Sequence, residues 1–349
     1  MKKKESIHDI AQKLNISAAT VSYVLNGKGD EKRISKDLQK TIRNYIKKSG
    51  YQPSMIARSL RTGKSQIIGM LVESISDPFF SSIARIIEDK ASKLGYKILY
   101  SSTDNNIQKT KELIRLFRER QVDGYIIAPT PGIEKEIKEL MAVNMPLVLF
   151  DRFFSNLSTV NVVVDNMGGC YKAILHFIQC GYKKIAMVTL DSGQVQMTDR
   201  LAGYTKAIEE NGRNQIVQKL PFTLTHEQRV EEIRIFLEQR NDIDAILFAT
   251  NYLAISGLQA INQLELDMPS DVGVISFDDN THFDLFRPSI TAVAQPVIEI
   301  SETVMQLLWK QLTEDVKQKK KKETIVLPTQ LMVRNSVMQL PGIKPAMAV

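Results

Sequence analysis

The 349-residue chain is poor in several residue types that carry chemistry. It has two cysteines, four histidines and one tryptophan. Cys170 and Cys180 fall within one expected helix and its end, so a disulfide between them would need that helix to break. Reduced packing residues are expected. His8, His176, His226 and His282 are far apart and show no metal-ligand spacing. No G-x-S-x-G elbow and no phosphate-binding loop occurs, so no nucleophile or nucleotide cradle is assembled and an enzyme is not expected. No metal or cofactor is implied. No run of 18 apolar residues exists, which excludes a helical membrane span and a membrane partner. MKKKESIHDI has no apolar segment after its lysines, so export is not expected and the cytoplasm is the expected compartment.

What is present is unevenly distributed. The formal charge is +7, yet residues 1–62 alone hold 14 Lys or Arg against 5 Asp or Glu. The rest of the chain is therefore slightly acidic. A small basic head on a nearly neutral body suits a polyanion binder. A membrane surface fits poorly, because no amphipathic basic helix with aromatic anchors accompanies the charge.

Residues 6–26, SIHDIAQKLNISAATVSYVLN, organise that head. Ser6 with Asp9 three residues on forms a capping box, and Ile7, Ile10, Ala11 and Leu14 repeat at helical spacing. Asn15 breaks the pattern. Ser17 caps a second helix, whose buried face is Val21, Val24 and Leu25. Two short helices across so tight a turn read as a helix-turn-helix, or as an ordinary surface hairpin; the local charge favours the former. The second helix turns Ala18, Ala19, Thr20, Ser22, Tyr23 and Asn26 outward. Tyr23 and Asn26 can bond base edges, and the alanines can touch a thymine methyl. A third helix is expected from Ser35 to about Ser49, with Leu38, Ile42, Tyr45 and Ile46 inward and Gly50 as its stop.

YQPSMIARSLRTGKS follows. It is too short for a stable isolated helix. Arg58 and Arg61 can meet phosphates, while Leu60 either belongs to a plain linker or wedges between base pairs in a minor groove. From Gln66, apolar runs alternate with amphipathic helices: IIGMLV, YKILY, GYIIAP, PLVLFD, VNVVVD, KIAMVTL, DAILFAT and VGVISFD are the expected strands. Helices are expected near 79–94, 107–120, 133–143, 168–180, 200–212, 226–239 and 252–264, then from Pro296 to Thr313. Such alternation means parallel sheets covered on both faces. The units are too many for one compact sheet, so two similar lobes are expected. Ligands of such sheets sit at the carboxyl ends of strands, which points to 74–80, Asp151 and Arg152, 191–200, Thr250 and Asn251, and Asp278. Asp77, before Pro78, also reads as a plain helix cap. KQKKKKE near 317–323 reads as a solvated loop, and Trp309 as a packing residue.

IHDIAQKLNISAATVSYVLNG, SMIARSLRTG, SDPFF at 76–80, RLAGY at 200–204, and PSDVGVISFDD followed by SITAVAQP resemble, in order, the bacterial regulators of the lac-repressor and galactose-repressor (LacI/GalR) family. The resemblance implies an α/β chain: an all-α helix-turn-helix head (1–51), a hinge (52–64), a two-lobed body like periplasmic binding proteins of type I (65–337), and a tail (338–349). It implies a transcriptional regulator, in all expectation a repressor, that binds a palindromic operator in double-stranded DNA as a homodimer. A sugar-like effector would bind between the lobes. By this resemblance Ala18, Ala19 and Tyr23 read bases, Ser17, Thr20, Ser22, Asn26, Arg58 and Arg61 support contact with DNA, and Leu60 is the minor-groove lever. Arg200 and Asp278 would hold the effector, with Ser74, Phe79, Phe80, Asp151, Asp165, Gln194, Thr250 and Asn251 around it. Relatives often carry Asn-Asp where this chain has Thr250 and Asn251. A solute-binding protein without DNA function is the alternative, and it gives the basic head nothing to do.

Overall fold

The computed structural model describes residues 5–51, 63–314 and 323–341. The chain forms two units, Met1–Ser65 and Gln66–Val349. The expected hinge residues Arg58, Leu60 and Arg61, the lysine run 317–322 and residues 342–349 lie outside the described residues.

In the first unit, α1 (Ile7–Lys13), α2 (Ala18–Leu25) and α3 (Lys36–Ser49) follow the expected caps. Ser6 and Asp9 form the reciprocal capping box, with the Asp9 N–H donating to Ser6 Oγ at 3.2 Å and Ser6 N–H donating to Asp9 Oδ2 at 2.7 Å. Ser17 Oγ accepts from Thr20 N–H, and Gly50 ends α3 at φ 64°, a left-handed position that suits glycine. Ile10, Ala11, Val21, Val24 and Ile42 are the core, walled by Leu14, Ile34, Leu38, Tyr45 and Ile46. One polar side chain is buried among them. Gln39 stays satisfied because its Nε2 donates to Ile34 O and to Asp30 Oδ1, both at 2.8 Å.

The second unit is two sheets of six strands. The first lobe contains β1 (Ile67–Val72), α4 (Pro78–Lys93), β2 (Lys97–Ser102), α5 (Ile107–Glu119), β3 (Gly124–Ile127), α6 (Glu134–Ala142), β4 (Leu147–Phe150) and β5 (Val160–Val164). The second contains α7 (Asn166–Cys180), β6 (Ile185–Leu190), α8 (Val195–Glu210), β7 (Val217–Leu220), α9 (His226–Gln239), β8 (Ala245–Phe248), α10 (Asn251–Gln263), β9 (Gly273–Phe277) and β10 (Thr291–Ala294). Then α11 (Val297–Thr313) and β11 (Glu323–Leu327) return to the first lobe, and β12 (Gln330–Met332) to the second.

Strand orders β11-β5-β4-β3-β1-β2 and β12-β10-β9-β8-β6-β7 repeat one doubly wound pattern. All pairings are parallel except β10 with β12. The central strands are buried along their length, except that Ile67 at the start of β1 is half-buried, as sheets covered on both faces require. The chain therefore passes between lobes three times, at Asp165, at Gln295–Pro296 and at Pro328–Thr329. Two passages are tied together: Asp165 N–H donates to Leu327 O at 2.9 Å, and Thr329 Oγ1 donates to Asp165 O at 3.4 Å.

Trp309 packs edge-on to Tyr96 with centroids 6.1 Å apart, and Cys170 and Cys180 are free and buried. Four strands were absent from the expected series: β7, β10, β11 and β12. β7 places Gln218 and Lys219 between its apolar ends, β11 opens on the exposed Glu323 and Thr324, β12 is only three residues long, and β10 (TAVA) is made mostly of small residues. Helix α8 starts at Val195, not near residue 200. Its cap, Gln194, makes no side-chain capping bond, so the usual start signal is missing.

Candidate functional site

In the helix-turn-helix unit, α2 leaves Ser17, Ala19, Tyr23 and Asn26 exposed. Thr20 and Ser22 are half-buried, and so is Ala18, which packs against the small core and is less outward than its spacing suggests. Local bonds occupy several of these groups. Ser17 Oγ and Thr20 Oγ1 lie 2.8 Å apart, and Asn26 Nδ2 donates back to Ser22 O at 2.5 Å. Tyr23 is 37% exposed, with Lys32 Nζ 5.4 Å from its ring centroid. A large aromatic with a phenolic donor, flanked by a cation and small neighbours, is the group on this face best able to reach a base edge.

In the second unit, a cleft opens where the carboxyl ends of both sheets meet, lined by Glu73, Asp77, Phe79, Phe80 and Asp151 from the first lobe. Leu190, Gln194, Gln196, Met197, Arg200, Thr250, Tyr252 and Asp278 line it from the second, and Gln295 from a crossing. Two residues set its character. Asp151 directly follows β4 and Asp278 directly follows β9, the matching strands of the two lobes. Both adopt left-handed backbone conformations, φ 67° and 70°. Such strain in a non-glycine residue persists where the surroundings impose it, characteristically at binding sites. The repeated fold thus aims one carboxylate from each lobe into one space.

Arg200, on the first half of α8, is 2% exposed and held by several partners through Nε and Nη1. Its Nε donates to Asn166 Oδ1 at 2.9 Å and its Nη1 to Ala249 O at 2.7 Å, with Asp278 Oδ2 at 3.4 Å. The guanidinium also lies 3.7 Å from the Phe277 ring centroid. Gln295 Nε2 donates to the other Asp278 oxygen at 2.5 Å. On the facing lobe, Arg152 Nη2 bridges Glu73 Oε2 and Asn105 Oδ1, each at 2.9 Å. Its Nε, 3.7 Å from Asp151 Oδ2, and its Nη1 have no hydrogen-bond partner. Burial pushes the Asp151 carboxyl up to about 6 against the pull of Arg152 and Arg200. Burial, with Asp278 nearby, raises Asp77 to about 6 as well. The aromatic pair Phe79 and Phe80, edge to face at 5.1 Å, forms an apolar wall.

Of the expected effector residues, Phe79, Phe80, Asp151, Gln194, Arg200, Thr250 and Asp278 converge on this cleft. Ser74, Asp165 and Asn251 are not among its lining. Ser74 Oγ pairs with Ser76 Oγ at 2.8 Å, and Asp165 caps α7 by accepting from Gly168 N–H at 2.8 Å. Asn251 is buried beside Asp77 and favours the ionised form of its carboxyl. Asp77 does cap α4, accepting from Phe79 N–H at 2.8 Å, yet it lines the cleft too. Gln196 and Met197 fall within the 191–200 span expected at a strand end, whereas Glu73, Tyr252 and Gln295 had no local signature. Glu73 and Gln295 do lie at strand ends, directly after β1 and β10.

Residues 6–54 match the family model of bacterial regulatory proteins of the lacI family, and residues 174–337 that of periplasmic binding protein-like domains. The chain is 32% identical to the ribose operon repressor of Halalkalibacterium halodurans, over 95% of this chain and 96% of that protein. It belongs to the LacI family. Another relative, the HTH-type transcriptional regulator RegA of Clostridium saccharobutylicum, is 32% identical over 88% of this chain and 93% of its own. Among solved structures, the lac repressor dimer bound to operator and the anti-inducer ONPF matches the fold with a TM-score of 0.84, at 20% identity over 96% of this chain and all of that one. A LacI family regulator from Enterococcus faecium, solved with bound ribose, matches with a TM-score of 0.70 at 25% identity, over 78% of this chain and 99% of that one.

Proposed function

We propose that the chain is an effector-controlled transcription regulator, a repressor that binds a two-fold symmetric operator as a homodimer and responds to a sugar-like ligand. Residues 1–51 form the DNA-reading domain, 52–64 the linker, 65–337 the effector domain and 338–349 a tail. Tyr23, Ala18 and Ala19 read bases, while Ser17, Thr20, Ser22 and Asn26 hold the backbone. Arg58 and Arg61 meet phosphates beside the Leu60 wedge. Phe79, Phe80, Asp151, Arg200 and Asp278 hold the ligand. Catalysis is no part of this reading, and the chain would act in the cytoplasm.

The observation that carries it is the presence in one chain of a basic helix-turn-helix and a polar cleft, in the order and over the length of named repressors. A ligand acts on such a protein only through its different affinity for the DNA-bound and free states. The test is selection of duplexes from a random pool by the purified chain, followed by anisotropy titration with and without sugars. A palindromic consensus whose affinity shifts with one sugar is the expected result. Binding indifferent to sequence would leave the solute-binding alternative standing.

A further inference from the structure

The cleft holds more negative charge than its own cations balance. Glu73, Asp77, Asp151 and Asp278 all line it. Two guanidiniums face these four: Arg152, shared between Glu73 at 2.9 Å and Asp151 at 3.7 Å, and Arg200, 3.4 Å from Asp278. The carboxylates are close enough to repel. Asp77 feels Asp278 and Glu73, and Asp151 feels the same two. The remaining lining groups with titrating or charged side chains reduce to Tyr252, whose hydroxyl burial drives towards its neutral form.

A second observation is independent of this charge. Gln196 is 4% exposed, and its Oε1 is buried without any donor. Its Nε2 donates to Gln194 Oε1 at 3.3 Å, which sets the amide so that the carbonyl is the vacant end. Gln196 lines the same cleft. An unmet buried acceptor beside surplus carboxylates calls for a ligand rich in donors and positively charged.

We propose that the effector carries a protonated amine: an amino sugar or an amine-bearing polyol, with its ammonium among Asp77, Asp151 and Gln196. Its hydroxyls meet Arg200, Gln295 and Asp278. This rests on the sugar-like reading above and narrows it. Sugar acids and sugar phosphates are excluded by the same surplus, since they would add a like charge to a buried acidic site. A neutral sugar leaves the repulsion among these carboxylates unrelieved, whereas an ammonium favours the ionised form of both Asp77 and Asp151.

Calorimetric titration of the full chain near neutral pH separates these cases. The probes are glucosamine, galactosamine and mannosamine, each against its parent hexose and its uncharged N-acetyl derivative, with ribose as a further neutral sugar. At least one amine binds about tenfold or more tightly than both neutral counterparts. Titration near the carboxyls' shifted pKa, in two buffers of different ionisation enthalpy, shows protons released on amine binding. Asp77→Asn removes the amine's advantage, and asparagine still caps α4. Asp151→Asn serves if that variant does not fold. Neutral hexoses or ribose binding as well as the amines, or amine binding without proton release, overturns the charge assignment and leaves the sugar reading intact. If no sugar of either kind binds, the sugar reading falls and this inference falls with it.

Discussion

Arg200 shows how one side chain joins scaffold and site. Its three bonds reach Asn166 on α7, the Ala249 carbonyl after β8 and Asp278 after β9, so it clamps three elements of the second lobe. Arg200→Ala leaves three buried acceptors facing a void, one of them a carboxylate. Removing one partner of such a buried pair costs about 3–5 kcal/mol. Urea denaturation of the variant checks this, and a loss below about 1 kcal/mol would refute the clamp. Effector binding is expected to vanish with it. Arg200→Lys keeps the charge without the planar fork, and should fall between the two in both measurements. From sequence, Arg200 and Asp278 were legible through the family motifs RLAGY and ISFDD. Their mutual contact was not, because 78 residues separate them and only the folded second lobe brings them together. Glu73 and Gln295 were harder still, because each is an isolated polar residue just past a strand, where solvated turns look the same.

Most helices and central strands were readable because their apolar periods are long and their caps are chemically distinct. The edge strands β7, β11 and β12 were not, since exposed polar positions or a length of three residues leave no long apolar run, whereas the edge strand β2 kept enough of one to be read. Helix α8 exposes another limit of local patterns. Its approach to α7 depends on Gly203, where an added Cβ would lie 2.1 Å from Met167 O and 3.1 Å from Cys170 Cβ. A backbone carbonyl cannot turn aside, so Gly203→Ala must push the two helices apart. Overpacking of this kind costs about 1–3 kcal/mol. Arg200 sits nearly one turn earlier on the same helix, so the displacement also pulls it off Asn166. The variant should therefore show a lower thermal midpoint together with weaker effector binding. A lowered midpoint with unchanged ligand affinity would mean that the helix shifts without carrying Arg200.

At the scale of the whole effector unit, the two lobes meet through opposed acids, and that makes their meeting sensitive to pH. Asp77 and Asp151 belong to one lobe and Asp278 to the other, so closing the cleft concentrates like charge. Asp77 and Asp151 are held at about 6 when folded, above the ordinary carboxylate range. A carboxyl raised by folding favours its protonated form there. Between the unfolded value of about 4 and the folded one, the native chain binds protons that the unfolded chain does not. This contribution to stability is accordingly present at the acid end of the window, shrinks as pH rises through it, and is absent once both groups are ionised. Without ligand, the thermal midpoint of the native chain relative to Asp77→Asn should fall as pH is raised from about 5 to about 7. A bound ammonium reverses the slope, because it favours the ionised pair and stabilises most where both carboxyls have lost their protons. Thermal scans of both proteins across that range, with and without glucosamine, galactosamine or mannosamine, measure the two slopes. If the difference between native chain and variant did not change with pH, Asp77 would be an ordinary helix cap, and the cleft would have no electrostatic reason to prefer a cation.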